Sequence, residues 1–343
     1  MADQKNIRSN TKNTNTSAKN VDIKNIKASK PVSKKSRKKK KNNQSPIVLF
    51  FIIILAVLAI LYNQFSDKLG LPDIFGAFQE QATVPPPVPD GDEVLIHVID
   101  VGQGDSILVM TPNGNMLIDT GESTAREALV SYLESVNVTS FEYVVFTHPD
   151  SDHIGNADYV VQNYTIKNII MPDKVSTTKT YERMIDAIEN SQATVIKAEP
   201  GYEFYLGALL NTILAPNDDY DDPNDASVVI KSTFGDTSIM LTGDAEKESE
   251  ADMVKLYSKD VLDCDVLKVG HHGSRTSTSQ AFLDAVDPTI ALISCGEGNK
   301  YGHPLPETLQ RLEKKGIKIY RTDKDGSIVL RTDGKSFEVI KPE

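Results

Sequence analysis

Residues 141–155, FEYVVFTHPDSDHIG, constrain this chain more than any other stretch. FEYVVF is a short apolar run of the kind that forms a buried strand, and it runs directly into two histidines and two aspartates. Crowded carboxylates repel, and a strand end offers them little water. Divalent cations resolve the conflict. Two ions neutralise such acids, and two ions about 3.5 to 4 Å apart clamp a phosphoryl or acyl group for hydrolysis. In an extended loop His148 and Asp150 would converge on one point, and Asp152 and His153 on another. The competing reading is an acidic surface loop.

What weighs against that reading is repetition. Polar clusters recur wherever a predicted strand ends: IDTG, THPDSDH, LTGD, KVGHHGS and CGEGNKYGHP, which together hold five of the six histidines. Loops at strand ends are held by a rigid sheet, and sites are commonly built there. Asp244 of LTGD is a natural bridging carboxylate, and His271 or His272 a natural further ligand. His97, alone inside a strand, reads as a packing residue.

Around these clusters the hydrophobic period alternates. VLIHVID, DSILVM and MLID read as strands, the last two joined through a PNGN turn. Leu129, Leu133 and Val136 recur at helical spacing behind a capping pair, Thr124 and Glu127. Further helices are predicted from Asn156 and over TKTYERMIDAIENS, EKESEADMVKLY, QAFLDAVD and PETLQRLEKKG. Strands are predicted over KNIIMP, CDVLKVG, TIALISCG and IKIYRT, with a hairpin in SVVIKSTFGDTSIMLTGD turning at Gly235 and Asp236. Paired strands with interleaved helices predict an α+β or layered α/β sandwich, helices outside two sheets. Cys264 and Cys295 sit in predicted strands as small buried residues, a single disulfide being the alternative.

The N-terminal part differs in kind. Residues 1–44 hold fourteen Lys/Arg against Asp3 and Asp22, a balance of +12, so with −11 overall residues 45–343 carry −23. Rich in Asn, Lys, Ser and Thr, these 44 residues predict a disordered basic tail. IVLFFIIILAVLAILY, Ile47–Tyr62, predicts with its flanks a transmembrane anchor at 45–65. The KKSRKKKK block before it predicts a cytoplasmic N terminus and an extracellular remainder, and suits anionic lipid headgroups. A Pro-rich linker at 66–92, including PPPVP, would hold the domain at 93–343 away from the membrane.

THPDSDH, IDTG, LTGD and KVGHHGS resemble the motifs of the metallo-β-lactamase fold, a four-layer αβ/βα sandwich with metals at one edge between the sheets. More narrowly, DVGQGDS, THPDSDHIG, NDASVVI, LTGDAE, DVLKVGHHGS, NKYGHP and YRTDKDGSI, in that order, resemble the soluble hydrolase domain of the ComEC family of competence proteins. That resemblance implies degradation of one DNA strand during uptake. It also implies two divalent ions, zinc or manganese, with His148 and Asp150 on one and Asp152 and His153 on the other. Asp244 would bridge them, His271 would complete the second site, and Asp119 and His272 would support the ligands from behind. Asp152, Asp244 and His303 are the expected catalytic residues, His303 as a further ligand, a substrate contact or a proton donor.

Two departures from the general fold harden the site. Asp150 stands where the pattern H-x-H-x-D-H has a histidine, and NDAS replaces the usual histidine near residues 224–227. Fewer nitrogens and more oxygens favour manganese alongside zinc. Gln103, Gly104 and Asp105 are expected to form a loop near the metals. Ser274 and Arg275 suit a phosphate oxygen or, equally, an N-cap and a surface arginine, while Asn299 and Tyr301 are candidate substrate contacts.

The expected chemistry is in-line attack of hydroxide on a phosphodiester, cations lowering the cost of deprotonating water. A balance of −23 repels polyanions, so strong nonspecific DNA binding would need a basic patch or a partner. One span cannot conduct DNA, which predicts a separate DNA-channel partner. The alternatives are a phosphodiesterase on cell-wall polymers such as phosphorylcholine-bearing teichoic acid, and a non-catalytic docking module.

Overall fold

The structure, a computed structural model, describes residues 86–340. The predicted tail and anchor and the linker as far as residue 85 lie outside the described residues. Among the described residues no helix is long and apolar enough to cross a membrane.

The chain builds β1 (Val94–Val98), β2 (Ile107–Thr111), β3 (Gly114–Ile118), α1 (Arg126–Ser135), β4 (Ser140–Val145), α2 (Ser151–Ile154) and α3 (Ala157–Asn163). There follow β5 (Thr165–Met171), α4 (Lys179–Glu189), β6 (Thr194–Lys197), β7 (Glu203–Leu206), β8 (Leu209–Ala215), β9 (Val229–Phe234), β10 (Thr237–Leu241) and α5 (Lys247–Leu256). The rest is α6 (Lys259–Leu262), β11 (Val266–Lys268), α7 (Gln280–Val286), β12 (Ile290–Ile293), α8 (Pro306–Lys314), β13 (Lys318–Arg321), α9 (Thr322–Asp325), β14 (Ile328–Thr332) and β15 (Phe337–Ile340). One sheet has the order β15-β14-β1-β2-β3-β4-β5-β6 and the other β13-β12-β11-β10-β9-β8-β7. Each begins as an antiparallel meander and turns parallel, from β3 to β6 in the first and from β10 to β13 in the second.

Three hydrophobic layers separate the four structural ones. Strand alternation sends Leu95, Leu108, Leu117, Val144 and Ile169 outward onto Leu129 and Leu133 of α1 and Met184 and Ile188 of α4. Their neighbours Ile96, Ile107, Met116, Val145 and Ile170 face inward and meet Ile213, Ile230, Ile239, Val266 and Leu292 of the second sheet. On that sheet's far side Met240, Leu267 and Ala291 pack under Met253, Phe282 and Leu312. Strands covered on both faces read as unbroken apolar runs, which is why VLIHV and ILVMT carry little polar alternation. The two-sheet α+β sandwich is therefore the observed architecture.

Local expectations fared unevenly. The hairpin turns where predicted, Phe234 pairing with Thr237. The capping pair Thr124 and Glu127 does not form: a 3₁₀ turn, Ser123–Ala125, leads into α1, and Ala125 at the cap has no side-chain oxygen to offer. Residues 148–153 are not a fully extended loop either, since Ser151–Ile154 makes a helical turn whose His153 and Ile154 amides both donate to the Asp150 carbonyl. Strands β6 to β8 had no prediction, and β6 and β7 are four residues each, too short for alternation to register. His97 packs under α1, its Nδ1 2.9 Å from the Tyr132 hydroxyl. Both cysteines are free and buried.

Candidate metal centre

The clusters meet because parallel strands deliver their carboxyl ends to the same edge. Ile118 pairs with Val145 in one sheet, and Leu241 with Lys268 and Lys268 with Leu292 in the other. The chain just beyond those pairs contributes Asp119, Thr147, His148, Asp244, His271, His272 and Ser294.

Two glycines let the loops interlock. The Gly102–Asp105 loop lies against α2, with the Asp105 amide donating to the Asp152 carbonyl at 3.2 Å, and a side chain at Gly104 would collide with that carbonyl. Gly155 passes equally close to the backbone of Gly121 and Ser123. The other wall of the site is a left-handed turn: His271 and His272 both have positive φ, 46° and 52°, between Gly270 and Gly273. Such non-glycine backbone costs roughly 1–2 kcal/mol per residue. The Ser277 hydroxyl on the Gly270 carbonyl, at 2.6 Å, and the Ser274 amide on the His271 carbonyl, at 2.8 Å, hold it in place.

Four histidines share one orientation rule. The Nδ1 of His153 lies 2.7 Å from Asp119 Oδ2, that of His272 3.0 Å from the Ser294 carbonyl, and that of His271 2.6 Å from Glu246 Oε1. His148 Nδ1 is 3.0 Å from Thr147 Oγ1, whose own proton goes to Asp119 Oδ2 at 2.6 Å, so the threonine oxygen accepts from the ring. With Nδ1 committed as donor, Nε2 is the ring atom each histidine has left to offer a ligand. The Nε2 atoms of His148, His153 and His272 are buried without a hydrogen-bond partner, as is Asp244 Oδ1.

Those atoms converge. His153 Nε2 is 3.2 Å from Asp244 Oδ1, while His272 Nε2 is 3.4 Å from both Asp244 Oδ2 and Asp152 Oδ2. Ligand atoms of Asp152, His153 and His272 lie within 4.8 Å of one another, and so do those of His148, His153 and Asp244. The two carboxylate oxygens of Asp244 therefore face different histidines. Buried groups of this kind demand partners, and a nitrogen–oxygen donor set with orphaned lone pairs fits divalent cations.

The electrostatics make the same demand. Burial alone would lower the His153 and His272 pKa values. The carboxylates of Asp244 and Asp119 outweigh it for His153, holding it well above its usual value, and Asp244, Asp105 and Asp152 carry His272 up to about 10. In the same field burial, reinforced by His153, pushes His148 down to about 3. Burial opposes but does not prevent the depression of Asp152 to about 2 by His272, and of Asp244 by His272 and His153. Protons on two rings thus do what cations would do better, because metal binding displaces such protons.

Not every predicted residue lies in this knot. Asp150 and His271 join none of the four groupings of acids and histidines that bring ligand atoms within 4.8 Å. Asp150 faces partly outward, its pKa raised by burial and by Asp152. His271 Nε2 stands 3.8 Å from Asp244 Oδ2. His303 meets His271 edge-on at 5.5 Å, and burial with the charge of His271 lowers it to about 4. Ser274 is buried and bonded to Thr276 and, through its carbonyl, to Thr308, whereas Arg275 is exposed. Asn299 spends its amide on its own loop. Tyr301 is exposed.

Other members were not singled out from the sequence. Lys268, fully buried, pairs with Asp105 at 2.7 Å, and the other oxygen of Asp105 is 3.4 Å from His272. Burial would raise the Asp105 pKa, but Lys268 and His272 hold it far below the usual range. Ser227 of the NDAS segment touches His148 Nδ1 at 3.3 Å and accepts from the Asp244 amide at 3.2 Å. Glu246 orients His271. All three lie inside quoted motifs, which was the available signal.

Comparisons with known proteins identify the family of the chain. A family model described as the metallo-beta-lactamase superfamily matches residues 99–297. The chain is similar to ComE operon protein 3 of Bacillus subtilis, with 31% identity over 268 residues, 72% of this chain and 34% of that protein. It is also similar to competence protein ComA of Neisseria gonorrhoeae, with 32% identity over 246 residues, 71% of this chain and 33% of that one. The chain thus spans about a third of the length of these relatives. Among solved structures, the metallo-beta-lactamase fold protein YhfI of Bacillus subtilis aligns at 14% identity and a TM-score of 0.47, covering 70% of this chain and 100% of that one.

Proposed function

This chain belongs to the metallo-beta-lactamase superfamily, and from that premise we propose that its edge cluster is a two-cation hydrolytic centre cleaving phosphodiesters, with single-stranded DNA as substrate. The observation that carries the reading is the convergence of bare, buried Nε2 atoms on the two oxygens of Asp244. Asp152, His153 and His272 would hold one ion. His148 would hold the other together with Asp244, whose two oxygens face different histidines. Such ions supply Lewis acidity at phosphoryl oxygens and hydroxide at neutral pH.

The chain's own residues do the rest. Asp119 fixes the His153 ring and, through Thr147, the His148 ring. The Ser294 carbonyl fixes His272. His303, at the rim, is kept neutral by burial and by the charge of His271, so it suits a substrate contact and not the proton donor for a departing oxygen. Similarity to a protein named for competence, beside the ComEC-like motifs, supports DNA as the substrate. The apolar run at 47–62 and the basic block before it fit a membrane-anchored enzyme whose hydrolase faces outward, passage of DNA belonging to a separate channel partner.

The charge of −23 favours one competitor, a cell-wall phosphodiester that carries its own cation. Manganese-loaded full chain in detergent, assayed on single-stranded DNA and on a choline phosphodiester beside Asp152→Ala, separates them. Metal-dependent DNA cleavage lost in the variant is the expected result. Turnover of the choline ester alone would transfer the activity to the cell wall, and metal binding without either would leave a docking module.

A further inference from the structure

We propose that the cleft beside Asp152 is a nucleobase-stacking subsite with Tyr301 as its platform, so that the centre takes a single strand by its bases and not by its phosphates. This rests on the phosphodiesterase reading above and names how its substrate is held.

The cleft, about 510 Å³, runs from Asp152 past Gln103 and Glu122 to Asn299, Lys300 and Tyr301. Tyr301 is 52% exposed, so the ring is open to an arriving ligand. Its plane lies 25° from that of His303 at 5.7 Å, and His303 in turn meets His271 at 5.5 Å. A line of rings therefore leads from the cluster to the surface. Lys300 Nζ lies 4.8 Å from the centre of the Tyr301 ring, on a flexible exposed side chain that an arriving base can displace.

The platform is rigid in advance. Asn299 Nδ2 donates to the carbonyls of Gly296, at 2.9 Å, and His303, at 2.6 Å, while its Oδ1 accepts from the amides of Tyr301, at 3.2 Å, and His303, at 3.0 Å. One side chain thus fixes the loop, and a ligand pays little ordering entropy on arrival.

Charge decides what the platform holds. Asp100, Glu122 and Asp152 border the cleft against Lys300 alone, so a run of backbone phosphates is repelled there. A base is uncharged and has a π face. Stacking on an aromatic ring changes affinity by roughly 5- to 150-fold per base, about 1–3 kcal/mol at about 1.36 kcal/mol per decade.

The test compares kcat/KM of manganese-loaded full chain on a single-stranded oligonucleotide and on an abasic strand of equal length, for the native protein, Tyr301→Ala and Tyr301→Phe, across a salt series. The native protein should prefer the base-bearing strand by that factor, chiefly through KM. Tyr301→Ala should collapse the preference and Tyr301→Phe retain it. The salt slope should stay shallow, corresponding to no more than about two neutralised phosphates. Equal use of both strands by the native protein, or a preference that survives Tyr301→Ala, overturns the subsite while leaving DNA hydrolysis standing. Cleavage of a small phosphodiester but of neither strand overturns the DNA reading and the subsite together. Competitive inhibition by tetramethylammonium, without a base preference, would make the cleft a cation site and overturn it as well.

Discussion

The inner cluster and its rim are built on opposite terms. Inside, His148, His153, His272, Asp119 and Asp244 are sealed from water, and each ring is steered by a partner on its Nδ1. At the rim Asp150, His271 and His303 keep part of their surface in water, and Tyr301 more than half. The difference teaches a division of labour. Inner geometry is decided by the sheets before anything binds, whereas the rim has room to adapt to a substrate. Metal affinity should therefore track the inner supports, and substrate preference the rim.

The strongest way to break that division is at Lys268. Lys268→Met leaves Asp105 charged and buried without its partner, and removing one member of a buried pair costs about 3–5 kcal/mol. Urea unfolding should show a loss of that size, partly restored by adding Asp105→Asn. A loss below about 1 kcal/mol would mean that the inner wall does not depend on the pair.

Next comes Asp244→Asn, which keeps the shape and removes the charge facing both sets of histidines. Phosphodiesterase turnover should fall by roughly 10²–10³-fold, the scale of losing one main electrostatic contact in a transition state. Retained turnover would remove Asp244 from the centre.

A sharper comparison sets one support against another. Asp119→Asn, behind His153, should weaken metal affinity by roughly 10- to 100-fold, while Glu246→Gln, behind His271, should weaken it far less. Isothermal titration with manganese reads both. Equal effects would erase the distinction between inner cluster and rim.

The last prediction is a control on burial without metal chemistry. Glu250 in α5 accepts from the Thr278 amide and, at 2.7 Å, from the Ser279 amide, and burial raises it from 4.5 to about 7. A carboxyl raised in the folded state contributes stability that is full below the unfolded value and lost as pH rises through the folded one. Between about pH 4.5 and 7 the native protein should lose this increment, and Glu250→Gln should flatten that part of its stability profile. An unchanged slope would show that the side chain titrates normally.

How much of this could be read in advance differed by region. The sandwich was legible because long apolar strands and amphipathic helices such as Lys179–Glu189 carry their period locally. The short strands Thr194–Lys197 and Glu203–Leu206 carry too few residues for any period and owe their state to the sheet beside them. In the site, THPDSDHIG announced itself by composition. Its shape did not, since the chain is extended at Asp150 and a helical turn follows at once. Which of His271 and His272 turns inward depends on their own left-handed backbone and on the neighbouring Gly273, which packs against Pro304, a contact far along the chain. Lys268 reads as one more strand residue until the opposite sheet brings Asp105 to it.

The measurement that tests the central claim most directly is the number of metal ions bound by the full chain, counted by elemental analysis after manganese loading, beside His148→Ala and His272→Ala. The account predicts two ions per native chain and at most one in each variant. A native chain that binds none, or variants that still bind two, would contradict it.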